Sequence, residues 1–198
     1  MMEFLLELDR VLLLSINGCN APWLDSIMVI LTNGLNWLPL FLVVIGMMLY
    51  KFRWQSILML LFIALVIFFA DRISAGLLKP WVARLRPSHE PELANILHIV
   101  NGYKGGLYGF VSSHAANAFA VATFLWLLLR KNIKWIWIMF LWAMIFSYTR
   151  LYLGVHYPSD IIAGGILGTT ISLLIYKLGQ LMPRKFSPIP ATDEPPSS

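Results

Sequence analysis

Residues 54–78 read WQSILMLLFIALVIFFADRISAGLL, and this stretch decides the fold. From Ile57 to Ala70 every side chain is apolar, so a helix here has no face for water. At about 1.5 Å per residue the run crosses a hydrocarbon layer ~30 Å thick. Its only charges, Asp71 and Arg72, come near the far end. They form a buried structural pair or extend a polar site inward. The pair is favoured, because an unpaired charge inside a bilayer is expensive.

Working outward, four more apolar stretches appear. Residues 26–50 carry no charge before the end but are interrupted by Asn33-Gly34 and Pro39. Residues 112–129, 135–149 and 158–176 follow, several slightly short of the ~20 residues a span needs unless their polar ends belong to the helix. The expectation is an all-α integral membrane protein, a bundle of about five transmembrane helices. Residues 4–16 mix apolar side chains with Glu7, Asp9 and Arg10, too short to cross, and predict an amphipathic helix in the interface. The layout is then an interfacial segment over 1–20, a membrane domain over 22–180 and a disordered tail over 183–198, rich in proline.

Composition agrees. Of 198 residues, 59% are hydrophobic and 13% charged, against ~45–50% and ~25% in soluble domains. A disordered chain, a collagen-like fibre and an ordinary cytosolic domain are excluded. Cys19 is alone, so neither an intramolecular disulfide nor a cysteine metal site is available. Glu3, Glu7 and Asp9 oppose a positive n-region, so no cleavable signal peptide is expected. The formal charge is +5, but basic residues never cluster beyond pairs such as Arg130-Lys131, and no nucleic-acid partner is expected.

The cations sit at the ends of apolar runs. Lys51 and Arg53 join the first two spans, Arg130, Lys131 and Lys134 the third and fourth, and Arg184 and Lys185 follow the fifth. Alternation puts all three groups on one side, which positive charge marks as cytoplasmic. A multi-pass protein of the cell inner (plasma) membrane follows, with residues 79–111 and 150–157 facing the periplasm or exterior.

Three polar clusters gather on that outer side. Lys79, Arg84 and Arg86 suit an anion, or snorkel toward headgroups. Ser112-Ser113-His114 opens an apolar helix, where serines cap free N–H groups and the positive dipole end also attracts an anion. His114 is a proton donor there, or structural. In the third, Pro158 suits a first helical turn. Asp160, one turn in, can then reach back to one imidazole nitrogen of His156, leaving the other free as nucleophile or base. The competing reading is a plain helix cap.

The order and spacing Lys79-x6-Arg86-Pro87, Ser112-Ser113-His114 and Arg150-x5-His156-x3-Asp160 resemble the three signatures of the type 2 phosphatidic acid phosphatases, which share their site with vanadium haloperoxidases. Val111 and Ser113 stand where that family has Pro and Gly, and Thr149 where it has Ser. The resemblance implies that Lys79, Arg86, Arg150, Ser112 and the N–H of Ser113 hold phosphate oxygens. It also implies that His156 attacks phosphorus, oriented by Asp160, and that His114 protonates the leaving group. No metal and no cofactor are implied. Likeness to small outward-facing bacterial members implies undecaprenyl diphosphate as the lipid substrate, with phosphatidylglycerol phosphate, phosphatidate and lipid A phosphates as alternatives. Oligomeric state is left open. Arg84 lies outside the signature, as a headgroup contact or a snorkelling side chain. His89, Glu90, Glu92 and His98 read as solvated loop residues.

Rival classes explain less. A non-catalytic lipid transporter or scramblase accounts for the spans but not for three cations and two histidines on one face. A serine protease has no use for those cations. A vanadate-dependent peroxidase of the same site type is soluble, which 59% apolar content opposes.

Overall fold

The computed structural model describes residues 2–190. Seven principal helices follow in order among them: α1 Met2–Gly18, α2 Pro22–Thr32, α3 Leu38–Phe52, α4 Gln55–Val82, α5 Ser113–Leu129, α6 Ile138–Tyr152 and α7 Pro158–Leu181. No β-strand occurs among the described residues; a single antiparallel bridge pairs Leu85 with Tyr108. Three helices are long and apolar enough to cross a membrane: α3 with its leading 3-10 turn (Gly34–Phe52), α4 and α7.

α5 is the axis of the bundle. Alanines dominate its first half, and most of its length is buried on every side. A helix that is apolar all round belongs in the interior. Around it, Val44, Met48, Met59, Val66, Phe124, Met139 and Ile171 build the main core. The outward faces of α3, α4 and α7 stay apolar and exposed, as at Leu42, Leu61, Phe68, Ile166 and Leu174, which suits a hydrocarbon solvent.

The tightest contact joins α5 to α7. A β-carbon on Gly168 would stand 2.0 Å from Ala116 O, and one on Gly164 would stand 2.5 Å from Ser112 O. Ser172 Oγ donates to Ala120 O at 2.6 Å one turn further along. Small residues four apart let backbones approach closely where lipid offers no hydrophobic drive for helices to associate.

The expected first span, 26–50, is corrected. α2 stops at Thr32, because Asn33 Oδ1 accepts from Leu35 N and Asn36 Nδ2 donates to Ile30 O. These side chains satisfy backbone groups that a continuous helix would have paired itself. At 11 residues α2 is too short to cross, and only Gly34–Phe52 has the length. The expected Asp71–Arg72 pair is also absent among the described ion pairs. Both residues are exposed, and the Arg72 guanidinium lies 5.6 Å from the Phe68 ring centroid.

The predicted amino-terminal helix is present, with a polar stripe turned toward the protein. Asp9, Leu13 and Asn17, at helical spacing, are all buried. Asn17 Nδ2 donates to Tyr152 O at 2.7 Å and to His98 O at 2.9 Å. The start of the expected disordered tail is corrected too. Ser187 Oγ donates to Gly179 O at 2.9 Å and Gln55 Nε2 to Ile189 O at 2.9 Å, so residues up to 190 pack on the bundle. Residues 191–198 lie outside the described residues.

Gly168→Ala is therefore expected to destabilise by about 1–3 kcal/mol, the usual cost of overpacking. Gly46→Ala, where a β-carbon meets nothing within 4 Å, is the matched control. Thermal unfolding in detergent should separate the two; equal midpoints would refute this account of the α5–α7 contact.

Candidate active site

α4 delivers the first cation. Pro80 has no N–H for the Gly76 carbonyl and its ring crowds that turn. The helix widens into a π-helical turn over Arg72–Leu78, and Lys79 N–H reaches Ser74 O instead. Ala83, at φ 51°, ends the helix in the left-handed region. The chain then runs extended, with Arg86 N donating to Leu107 O at 3.0 Å and Gly109 N to Arg84 O at 2.9 Å. Extended backbone puts residues two apart on one side, so Arg84 and Arg86 face the same way. Arg86 is buried, and its Nε donates to Tyr108 O at 3.1 Å.

The loop that packs on this segment is shaped by glycines. A β-carbon on Gly105 would stand 2.7 Å from Arg86 Nη1, and one on Gly109 would stand 2.9 Å from Asp160 Oδ2. Ser112 caps α5, accepting from Ala115 N at 3.4 Å, while its own N–H donates to Asp160 O at 3.0 Å. Ser113 turns its hydroxyl to α4, where Ser74 Oγ donates to it at 3.0 Å. His114 stacks on Phe146, with ring centroids 5.2 Å apart.

Arg150 ends α6, almost wholly buried. Nη1 donates to Thr32 Oγ1 at 2.8 Å and Nη2 to Tyr103 OH at 3.0 Å. Its Nε has no partner among the described residues. Thr149 joins the same corner by donating to Phe146 O at 2.7 Å.

His156 and Asp160 complete the site, both buried. Asp160 Oδ2 accepts from Tyr157 N at 3.0 Å and from His156 Nδ1 at 3.2 Å. The carboxylate thus fixes the imidazole with Nδ1 protonated and Nε2 unprotonated. Burial, then the charges of Arg86, Lys79 and Arg150, hold the His156 imidazole well below the ordinary histidine range. Burial, followed by the charge of Arg150, likewise lowers Arg86. Three cations converging on one buried neutral imidazole make a pocket for a multiply charged anion.

Two expectations about this region are corrected. Arg84 is neither at a headgroup nor snorkelling: Nη2 donates to Asp9 Oδ2 at 2.8 Å and Nη1 to Ser159 Oγ at 2.7 Å and Asp160 Oδ1 at 3.2 Å. His98 is not a free loop residue; its Nε2 lies 2.9 Å from Asp25 Oδ1, and Tyr152 OH donates to the same carboxylate at 2.6 Å. Glu92 is held by Arg10 at 2.7 Å. Thr32, Tyr103 and Asp9 were not singled out from the sequence. Each sits far along the chain from its partner, with no spacing to betray it. Arg84 did carry a signal, two residues from Arg86 in an extended segment.

Fold and family together define a membrane-spanning lipid phosphatase. The chain belongs to the PAP2 superfamily, whose profile matches residues 57–182. It is 44% identical over 178 residues to a lipid A 4'-phosphatase of Bacteroides thetaiotaomicron, covering 89% of this chain and 79% of that one. It is 37% identical over 125 residues to an undecaprenyl-diphosphatase of Sulfolobus acidocaldarius, covering 62% and 57%. The crystal structure of a transmembrane PAP2-type phosphatidylglycerolphosphate phosphatase from Bacillus subtilis superposes with a TM-score of 0.63 at 26% identity, over 91% of this chain and 88% of that one. The protein is a PAP2 lipid phosphatase.

The depressed His156 basicity predicts a neutral ring at mildly acidic pH. In ¹⁵N-histidine spectra of the detergent-solubilised protein, His156 should remain uncharged at pH 6, with a proton on Nδ1 alone. A cationic ring there would contradict the geometry. Because the native state then binds fewer protons than the unfolded chain, stability should fall as pH drops through about 6.5.

Proposed function

We propose that this phosphatase removes a phosphate monoester from an acylated glycolipid of the lipid A type, by way of a phosphohistidine on His156. The observation that carries the lipid part is an apolar cavity of about 550 Å³ among α3, α4, α5 and α6. Phe41, Met48, Ile63 and Leu125 line its depth, and Ser113, His114 and Asn117 its polar end. A hydrocarbon chain fills such a space while the phosphate sits among the cations. The glycolipid is favoured because the 44% relative matches nearly the whole chain.

In this reading Lys79, Arg86 and Arg150 bind the phosphate oxygens, with Ser112 and the Ser113 N–H at the dipole end of α5. They stabilise charge that grows on the transferring group. His156 Nε2 attacks phosphorus as the bond to the lipid oxygen breaks, and His114 gives its proton to that oxygen. Water then attacks the phosphohistidine, returns a proton to His114 and releases inorganic phosphate. The three cations supply the positive charge that a metal brings elsewhere, so turnover needs no metal.

Undecaprenyl diphosphate is the second reading, supported by the 37% relative and by the same apolar cavity. The site faces the periplasm or cell exterior, on the inner (plasma) membrane. Supporting this, Lys51 Nζ donates to Asn132 O at 3.1 Å, and Gln55 reaches Ile189, so the basic turns gather at one end of the bundle.

Purified protein in detergent should release phosphate from a lipid A 4'-phosphate faster than from undecaprenyl diphosphate, phosphatidylglycerol phosphate or phosphatidate. The reverse order would shift the substrate. His156→Ala should lose turnover altogether and Asp160→Asn should be slow. Arg150→Lys should fall at least about tenfold in kcat/KM, since a point charge does not replace a fork of donors. Vanadate should inhibit and EDTA should not. Restoration of EDTA-treated enzyme by Mg²⁺ would overturn the metal-free mechanism.

For orientation, a Cys19→Ser background suffices. Gly102→Cys should react with an impermeant maleimide in intact cells, and Asn132→Cys only after permeabilisation. The opposite pattern would put the site in the cytoplasm.

A further inference from the structure

Asp160 has two carboxylate oxygens, and they face different groups. Oδ2 takes His156 Nδ1 and the Tyr157 N–H. Oδ1 takes Arg84 Nη1 at 3.2 Å. Arg84 is itself held on three sides. Asp9 of α1 accepts from its Nη2 at 2.8 Å, Ser159 Oγ accepts from its Nη1 at 2.7 Å, and its guanidinium lies 3.9 Å from the Tyr157 ring centroid. Asp9 also accepts from Ser159 N at 2.9 Å and from the Ser159 hydroxyl. Asp9 is only 6% exposed, a carboxylate taken out of water on a helix whose neighbouring side chains are largely exposed and apolar. Burying such a charge is unfavourable unless it is paired and hydrogen-bonded. Here all its partners are Arg84 and the residue beside Asp160.

We propose that Asp9 and Arg84 are positioning residues for catalysis: the amino-terminal helix, through Asp9 and then Arg84, sets the rotamer of Asp160 and so the aim of His156. The inference rests on His156 being the nucleophile. Arg84 acts through Asp160 rather than on phosphate: both Nη1 donors go to Ser159 and Asp160, one Nη2 donor goes to Asp9, and the plane lies against the Tyr157 ring. The helix that the family profile leaves out, because that match starts at residue 57, is thereby part of the catalytic unit. Small losses of aim are expensive in rate, about a hundredfold for ~1 Å.

The test uses the full chain in detergent with a lipid A 4'-phosphate and two variants, Asp9→Asn and Arg84→Gln. Asp9→Asn keeps the shape and removes the charge. It should lower kcat about tenfold and Arg84→Gln about a hundredfold, with KM and vanadate inhibition unchanged. The double variant should be no slower than Arg84→Gln, because the two act in one chain of contacts. Asp9→Glu should restore part of the rate. A raised KM or weakened vanadate inhibition would instead make Arg84 a phosphate ligand and overturn the proposal, as would additive effects or an unchanged kcat. Wild type and His156→Ala, assayed beside them, test the phosphatase reading separately. The ¹⁵N-detected Nδ1–H resonance of His156 reads the positioning without turnover. It should shift or broaden in Asp9→Asn, and an unmoved resonance would refute the clamp even if the substrate were misassigned.

Discussion

At Gly168 the α7 backbone comes so close to α5 that no side chain fits between them. That approach sets how the two helix starts meet at the end of the bundle that carries His114 and His156. α5 begins at Ser112-Ser113-His114, and α7 begins immediately after His156-Tyr157. The Ser112 N–H donates to Asp160 O, so the two helix starts are bonded as well as packed. In a bilayer this closeness comes from small residues and interhelical hydrogen bonds, not from hydrophobic drive.

Charge is the second constraint. Lys79, Arg86 and Arg150 gather around the buried His156, whose basicity is depressed by burial and then by their charges. Like charges held this close repel one another, and an anion among them would offset that repulsion. Each cation reaches it by a different local device. Lys79 arrives on a helix widened ahead of Pro80, Arg86 on an extended segment bridged to Tyr108, and Arg150 at a helix end tied to Thr32. A separate apolar cavity opens beside His114, among α3, α4, α5 and α6.

The periphery contributes more than its composition suggests. α1 is apolar outside, yet its inward stripe of Asp9, Leu13 and Asn17 meets the active-site face, the core and the loop of His98 in turn. α2, which looked like half of a span, instead supplies Thr32 to Arg150 and Asp25 to His98 and Tyr152. Both helices brace the end of the bundle that carries the site.

Much was legible in the sequence, for identifiable reasons. Apolar runs far longer than water permits announced a helical membrane bundle, because hydrocarbon leaves the backbone no other partner than itself. Pro158 and the four-residue step from His156 to Asp160 encoded the contact between them, because helix starts obey local rules. Lys79, Arg86, Ser112, His114 and Arg150 stood out as polar residues at the ends of apolar runs. What the sequence did not hold is pairing across distance. Nothing near Asp9 names Arg84, and nothing near Thr32 names Arg150. Those choices belong to the packed bundle, which decides which distant side chains can satisfy one another's charge and hydrogen bonds.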